Sequence, residues 1–171
     1  QTNGSDALAD DPELTQAELE AVTFYTQTLG VPAPRNVTDD SVRRGAYVFE
    51  KIDCAQCHIP KMTTGNNTIS ALRNQTIYPY TDLLVHDMGE ELADNRPDFL
   101  ADGKEWRTRP LWGIGLTQVV NGHTHFLHDG RAKNITEAIL WHGGEAENSR
   151  DQFKELSTKD REDLLNFLNS L

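Results

Sequence analysis

The segment KIDCAQCHIP, residues 51–60, constrains this chain more than any other feature. It places Cys54, Cys57 and His58 in the arrangement Cys-x-x-Cys-His, and the sequence contains no other cysteine. Two cysteines at this spacing occur in dithiol redox pairs, in structural zinc sites and in covalent haem attachment sites. The three kinds of site imply different cofactors and compartments, so the neighbouring residues have to distinguish between them.

The histidine directly after the second cysteine favours haem attachment. A dithiol pair of the thioredoxin type follows a strand, whereas a helical pattern precedes Cys54 here. A zinc site needs two more ligands at short spacing, and the spacing of His123 and His125 from the cysteines is unusual for one. In haem attachment, Cys54 and Cys57 form thioethers with the porphyrin, and His58 becomes the proximal iron ligand. We therefore expect one covalent haem c and, because attachment takes place outside the cytoplasm, a periplasmic or otherwise extracytoplasmic bacterial location.

The charge of the chain argues against one class of partner. The 171 residues carry a formal net charge of -11, whereas nucleic-acid-binding proteins need a positively charged surface. No apolar run approaches the ~20 residues that a membrane-spanning helix requires. We expect neither a nucleic-acid partner nor a membrane span, and the acidity favours, if anything, a basic partner.

Helical patterns separated by long loops account for most of the chain. Residues 1–14 are predicted to be a polar arm, and residues 15–171 a single domain. Thr15 and Glu18 form a capping box at the start of a first helix, which Gly30 is expected to end.

A second helix is predicted over residues 41–58, so that it continues into the cysteine motif. Gly45 lies on the same face as Phe49 and would allow another helix to cross closely, as in cytochromes c. Two later helices are predicted, one capped by Thr136 and the last capped by Ser157. Because no strand alternation is visible, the sequence predicts an all-α, cytochrome c-like domain whose long loops wrap one haem.

The ligand on the other side of the iron is less constrained by the residues alone. A methionine raises the reduction potential, and a second histidine leaves it lower. The candidates are Met62, Met88, His86, His123, His125, His128 and His142. Met62 is too near His58 in sequence to reach around the porphyrin. Met88, in VHDMG, and His142, at a helix end before two glycines, both stay open.

Four segments, in this order, resemble a known family: CAQCH, PYTDLLVHDMG, EWRTRPLWG and FLHDGRAKNITEAILWHGGEA. They are similar to the C-terminal haem domain of di-haem oxidoreductases related to bacterial di-haem cytochrome c peroxidases, which have often been labelled thiol oxidoreductases. The resemblance covers roughly residues 12–171. In those peroxidases, the C-terminal domain holds a high-potential haem that passes electrons to a peroxidatic haem in the N-terminal domain. The resemblance therefore implies an electron-transfer domain, with a second haem domain or a redox protein as its partner.

The resemblance also bears on the distal ligand. In the peroxidases this ligand follows the histidine of a His-Asp-Gly turn at the spacing that separates His142 from His128. The segment around Met88 corresponds to one that provides no ligand. The resemblance thus implies His142, where the peroxidases have a methionine and the methylamine-utilisation relative has a tyrosine. A bis-histidine site would have a lower potential than the relatives' site.

The chain departs from the family in having a single Cys-x-x-Cys-His motif, where members usually carry two haems. It is either a separated domain or a natural single-haem relative. Because a fully ligated iron cannot bind peroxide, we expect this domain alone to transfer electrons. The alternatives are a stand-alone mono-haem carrier and a haem enzyme whose labile sixth ligand gives way to peroxide.

Further residues are candidates for holding the cofactor. Arg107 and Arg109 are suited to pairing with haem propionates, because a guanidinium group binds carboxylates in a bidentate manner; surface ion pairs are the alternative. Trp112, like the other two tryptophans, is expected to pack against the porphyrin or the core. Asp129 and Arg131 are expected to fix the turn before the later helix by hydrogen bonds.

Overall fold

The structure, a computed structural model, describes residues 12–171. Within these residues it is mostly helical, with small sheets. The α-helices are α1 (Gln16–Gln27), α2 (Asp40–Lys51), α3 (Thr117–Asn121), α4 (Ile135–Leu140), α5 (Glu147–Glu155) and α6 (Thr158–Ser170). The described part of the chain divides into two compact units, one ending at Val31 and one from Pro32 to Leu171. Nearly all of the predicted polar arm, residues 1–14, falls outside the described residues.

Within residues 12–171, four short strands form two antiparallel pairs, and the prediction of a purely helical chain misses them. The first pair joins β1 (Met62–Thr63) to β2 (Thr76–Ile77), and the second joins β3 (Val85–Asp87) to β4 (Glu105–Arg107). Alternation of apolar and polar residues cannot be recognised in strands of two or three residues. The main elements nevertheless follow the helical prediction.

Helix α2 crosses α6 at Gly45, and this contact organises the core. A Cβ atom at Gly45 would overlap the backbone carbonyl of Asp163 and lie 2.6 Å from the Cβ of Phe167. The prediction of a close crossing at this glycine is confirmed. The crossing buries a hydrophobic cluster made of Val42, Val48, Phe49, Ile52, Ile135, Phe153, Leu164, Phe167, Leu168 and Leu171.

A buried carboxylate stabilises the same crossing. Asp163 is fully buried and accepts hydrogen bonds from Ser41 and Lys159 and from the Arg44 guanidinium at 2.8 Å. Hydrogen bonds from Arg44, then Lys159 and Ser41, hold the pKa of Asp163 well below its usual range. Because a buried charge is costly unless it is paired, these donors make the carboxylate tolerable and connect α2 to α6.

The helix ends agree with the predicted caps in two places and differ in three. The Thr15–Glu18 capping box is present, and Ser157 accepts from the backbone of Asp160. However, α1 ends at Gln27, three residues before Gly30. The cap of α4 is Asn134, whose side chain accepts from Glu137 N–H, and not Thr136. Helix α2 ends at Lys51 and does not continue into the cysteine motif.

No helix in the described part of the chain has the length and apolar composition needed to cross a membrane.

Candidate functional site

The cysteine motif lies on a tight turn directly after α2. Asp53 has a left-handed φ of 66°, which ends the helical path, and Cys54–Gln56 then form one turn of 3-10 helix. The His58 N–H donates to the Cys54 carbonyl at 3.0 Å, so the turn closes on itself. The Asp53 carboxylate accepts from Gln152 Nε2 of α5 at 3.2 Å, which fixes the turn against that helix. Cys54, Cys57 and His58 therefore form one compact loop.

His58 is held in the protonation state of a metal ligand. Its Nδ1 lies 3.0 Å from the Tyr80 carbonyl oxygen. A carbonyl can only accept, so Nδ1 carries the proton and Nε2 keeps its lone pair. Burial lowers the pKa of His58 to about 4, so the ring is neutral near pH ~7. Histidines that bind metals are commonly oriented in this way, through the other ring nitrogen.

Tyr80 presents its carbonyl to His58 through an unusual backbone conformation. Its φ is 53°, and its ring makes edge contacts with Phe49 and Phe167, at centroid distances of 6.0 and 5.8 Å. Phe49 also lies 6.3 Å from the His58 ring. The aromatic cluster at the α2–α6 crossing thus supports both the imidazole and the carbonyl that orients it.

His142 repeats the arrangement of His58 at the end of α4. Its Nδ1 lies 2.8 Å from the Ala138 carbonyl oxygen, which again leaves Nε2 with its lone pair. Burial lowers the pKa of His142, so this ring is also neutral. The two rings interact electrostatically, since a charge on His142 would lower the pKa of His58. The described residues therefore contain two neutral imidazoles, each fixed by a backbone carbonyl and each with Nε2 available.

The two thiols are poorly suited to redox exchange. Burial raises the pKa of Cys54 to about 12. Burial, followed by the negative charges of Asp82 and Glu145, also raises the pKa of Cys57. A reactive dithiol needs a thiolate stabilised by nearby positive charge. His86 lies 3.9 Å from Cys57 Sγ but is paired with two carboxylates, and the pKa of both thiols is raised. These surroundings therefore argue against a dithiol oxidoreductase.

A charged cluster lies beside Cys57. His86, on β3, has both ring nitrogens next to carboxylates: Nε2 is 2.8 Å from Asp82 Oδ2, and Nδ1 is 2.8 Å from Glu145 Oε2. The hydrogen bond that His86 donates to Glu145, opposed by burial and aided by a second one to Asp82, raises the pKa of His86. Nδ1 of His86 is also 3.9 Å from Cys57 Sγ. This cluster of Asp82, His86 and Glu145, here called the carboxylate–histidine cluster, was not predicted as a unit.

Potential metal ligands converge in one place within residues 12–171, and that place does not suit zinc. Cys57, Asp82 and His86 offer ligand atoms within 4.8 Å of one another. Yet both nitrogens of His86 already face carboxylates, which leaves no free lone pair for a metal. Cys54 is not part of this group. A zinc site built on both cysteines is therefore not supported.

The other candidate distal histidines lie in different surroundings. His123 and His125 are exposed and stack on each other, with ring centroids 4.7 Å apart. His128 stacks on Trp106, with centroids 3.5 Å apart and the ring planes within 10°. Burial lowers the pKa of His128. Each of these three rings therefore stacks on another ring. His142 differs, because its position is set by the hydrogen bond to the Ala138 carbonyl.

Met88 lies beside the segment that follows His142. Its N–H donates to the Lys104 carbonyl at 3.0 Å, and its own carbonyl would lie 2.9 Å from a Cβ atom at Gly143. The backbone directly after β3, at Met88, thus lies against the residues next to His142, and Met88 is half-buried. Met88 remains the alternative distal ligand.

The predicted supporting residues occupy the surface around these segments. Arg107 and Arg109 are exposed, and neither takes part in an ion pair with the residues that the structure describes. Trp112 is half-buried. The predicted turn is confirmed, because Arg131 donates to the Asp129 carboxylate through its backbone N–H at 3.1 Å and through Nε at 2.7 Å. The role of the two arginines toward propionates stays a prediction.

Comparison with known proteins identifies one family. The family model described as "Di-haem oxidoreductase, putative peroxidase" matches residues 2–171, nearly the whole chain. No curated protein and no solved structure matches. The family description names two haems, whereas the two cysteines of this chain provide one attachment motif.

Proposed function

Because the chain belongs to the di-haem oxidoreductase family, we propose that it is a c-type haem electron-transfer domain. It forms the C-terminal half of a periplasmic, peroxidase-like oxidoreductase and has a cytochrome c-like fold. One haem c is bound through Cys54 and Cys57, with His58 as the proximal and His142 as the distal iron ligand. A second haem domain or a redox protein exchanges electrons with it.

The observation that carries this proposal is the matched state of the two imidazoles. His58 and His142 both donate Nδ1–H to a backbone carbonyl and keep a free Nε2. Only His58 belongs to the cysteine motif; His142 is far from it in sequence, yet it has the same tautomer, burial and neutral charge. Two neutral nitrogen donors together with two thiols suit a covalently attached haem better than they suit a hard cation.

The residues of this chain prepare the site and limit its chemistry. When bound, the haem supplies one-electron chemistry at its iron. The carbonyls of Tyr80 and Ala138 fix the two imidazoles, and burial keeps these rings unprotonated, so that acid does not compete for Nε2. The exposed Arg107 and Arg109 would neutralise haem propionates, and Trp112 would pack against the porphyrin.

Ligation by two histidines favours electron transfer over catalysis in this domain. If His58 and His142 both bound the iron, they would leave no coordination site for peroxide or water. The haem would then have a lower reduction potential than with a methionine ligand. Peroxide chemistry, if the complete enzyme performs it, therefore takes place at a second haem.

The first test asks whether the purified protein carries covalent haem. We expect an alkaline pyridine haemochrome spectrum of the c type, haem that stays with the chain on a denaturing gel, and loss of both in the Cys54→Ser/Cys57→Ser variant. His123→Ala, at an exposed site, serves as the matched control and should leave both results unchanged. A colourless protein containing zinc would contradict the proposal.

Two alternatives are separated by ligand addition and by stoichiometry. A haem spectrum that changes with cyanide or peroxide would indicate an enzyme with a labile sixth ligand. An unchanged spectrum, together with one haem per physiological protein complex, would indicate a stand-alone carrier. The single attachment motif is the observation that keeps the carrier under consideration.

A further inference from the structure

His86 makes two hydrogen bonds that require a particular charge. Nε2 and Nδ1 each lie 2.8 Å from a carboxylate oxygen, of Asp82 and Glu145 respectively. An ionised carboxylate only accepts, so both bonds exist together only when both ring nitrogens carry protons. A neutral imidazole would leave one nitrogen lone pair facing a carboxylate. His86 is only partly exposed, so water replaces such a lost bond poorly.

Glu145 connects this imidazolium to the segment that carries His142. Its Oε2 accepts from His86, and its Oε1 accepts from the backbone N–H of Asp87 at 2.9 Å. Both donors belong to β3, whereas Glu145 lies three residues after His142. One carboxylate therefore joins the strand to the loop beyond α4.

The backbones of the two segments are also in close contact. A Cβ atom at Gly144 would overlap the Asp87 carbonyl, and one at Gly143 would lie 2.9 Å from the Met88 carbonyl. Such contact is possible because both residues are glycine. On its other side, His142 is fixed to α4 through the Ala138 carbonyl. The position of His142 is thus determined from two directions, by α4 and by β3.

We propose that the carboxylate–histidine cluster is an ionic clamp that positions His142, with Glu145 and the doubly protonated His86 as positioning residues. The clamp holds the 143–145 segment against β3, beside Cys57, and so fixes the approach of the His142 ring. This inference rests on the proposed function, since it concerns the distal ligand. It adds to that function two residues that are not iron ligands and that determine the position of the distal ligand.

Several charged or titratable groups lie close to His86. Asp82 and Glu145 contact the ring directly, Cys57 Sγ lies 3.9 Å away, and His58 interacts with it electrostatically. The hydrogen bonds from His86 and from the Asp87 N–H lower the pKa of Glu145. For Asp82, hydrogen bonds from Leu84 N–H and His86 outweigh burial and lower its pKa.

On the opposite strand, β4, the cross-strand partner of His86 is the uncharged Trp106, flanked by Glu105 and Arg107. Hydrogen bonds to Glu145 and Asp82 raise the pKa of His86, in agreement with a ring that carries protons on both nitrogens.

The test compares Glu145→Ala, Glu145→Gln and the wild type as haem-loaded proteins at neutral pH, using the low-temperature EPR spectrum. Wild type should give one low-spin species. Glu145→Ala should give a mixture of species, because both hydrogen bonds to β3 are lost. Glu145→Gln should give one species, because its amide accepts from Asp87 N–H and donates to a neutral His86. This rescue distinguishes positioning from a general structural role.

Two controls make the result decisive. Glu147→Ala removes an exposed partner of Arg150 nearby and should behave as wild type. NMR titration of the His86 ring in the reduced protein should give a pKa above that of a free histidine, and lower in Glu145→Ala.

If His142→Ala leaves the wild-type spectrum unchanged, the ligand assignment fails and the positioning role fails with it. If His142→Ala changes the spectrum but Glu145→Ala matches wild type, the clamp alone is refuted.

Discussion

Replacing Gly45 by alanine should push α2 and α6 apart and destabilise the protein. The added methyl group would overlap the Asp163 carbonyl and crowd the Cβ of Phe167. Both neighbours belong to the backbone or lie next to it, so neither can turn away as the end of a long side chain would. Overpacking costs about 1–3 kcal/mol, and this rigid contact places the cost at the upper end.

The helix propensity of alanine offsets part of this cost. Alanine is favoured over glycine inside a helix by about 1 kcal/mol. The net expectation is a loss of about 2 kcal/mol in the free energy of unfolding, which corresponds to a melting temperature lowered by about 4–8 °C for a domain of this size. Urea unfolding, followed by tryptophan fluorescence, gives the free energy, and calorimetry gives the melting temperature.

Gly65→Ala is the matched control. No atom lies within 4 Å of a Cβ built at Gly65, and its φ is not in the left-handed region. This variant should match wild type or be slightly more stable, because alanine restricts the unfolded chain. If Gly45→Ala were as stable as Gly65→Ala, the α2–α6 crossing would not depend on the missing side chain, and our account of the core would be wrong.

Three other predictions concern the site and its support. In the haem-free protein, His58 has a pKa of about 4 when folded and of ~6.5 when unfolded. The neutral ring therefore contributes its full stability above pH ~6.5. The free energy of unfolding should fall by about 3 kcal/mol as the pH is lowered toward ~4. Urea unfolding at the two pH values checks this, and His58→Ala should remove most of that dependence; equal acid sensitivity in the variant would refute it. Arg107→Gln/Arg109→Gln should lower the haem reduction potential in a spectroelectrochemical titration, because two positive charges are removed. Arg96→Gln, the control, should not change it. Equal potentials in the double variant and the wild type would exclude pairing with propionates. Ser157→Ala should reduce the free energy of unfolding by about 1 kcal/mol through loss of the α6 cap, and an unchanged urea midpoint would contradict this.

The sequence predicts those parts of the fold that depend on local signals. Thr15 with Glu18 and Ser157 mark helix starts because a capping side chain acts within its own first turn. Gly45 could be recognised because a glycine on an apolar helix face indicates a close neighbour. Thr136 was the wrong cap because Asn134, two residues earlier, also satisfies the local rule and takes the position.

Residues that act through distant contacts were not predictable from local signals. The TDLLVH segment shows Asp82 and His86 four residues apart, but Glu145 joins them only because β3 packs against the loop after α4. Likewise, the end of α2 at Lys51 depends on the left-handed conformation of Asp53, whose carboxylate is fixed by α5. The family resemblance pointed to His142, and the contact of its Nδ1 with Ala138 adds a physical reason that the sequence does not contain.

The most direct test of the account is the low-temperature EPR and near-infrared spectrum of the oxidised, haem-loaded protein, recorded beside His142→Ala and Met88→Ala. Ligation by His58 and His142 predicts a low-spin signal typical of two nitrogen ligands that becomes high-spin in His142→Ala and stays unchanged in Met88→Ala. A sulfur-to-iron charge-transfer band that survives in His142→Ala and disappears in Met88→Ala would place Met88 on the iron and contradict the central claim.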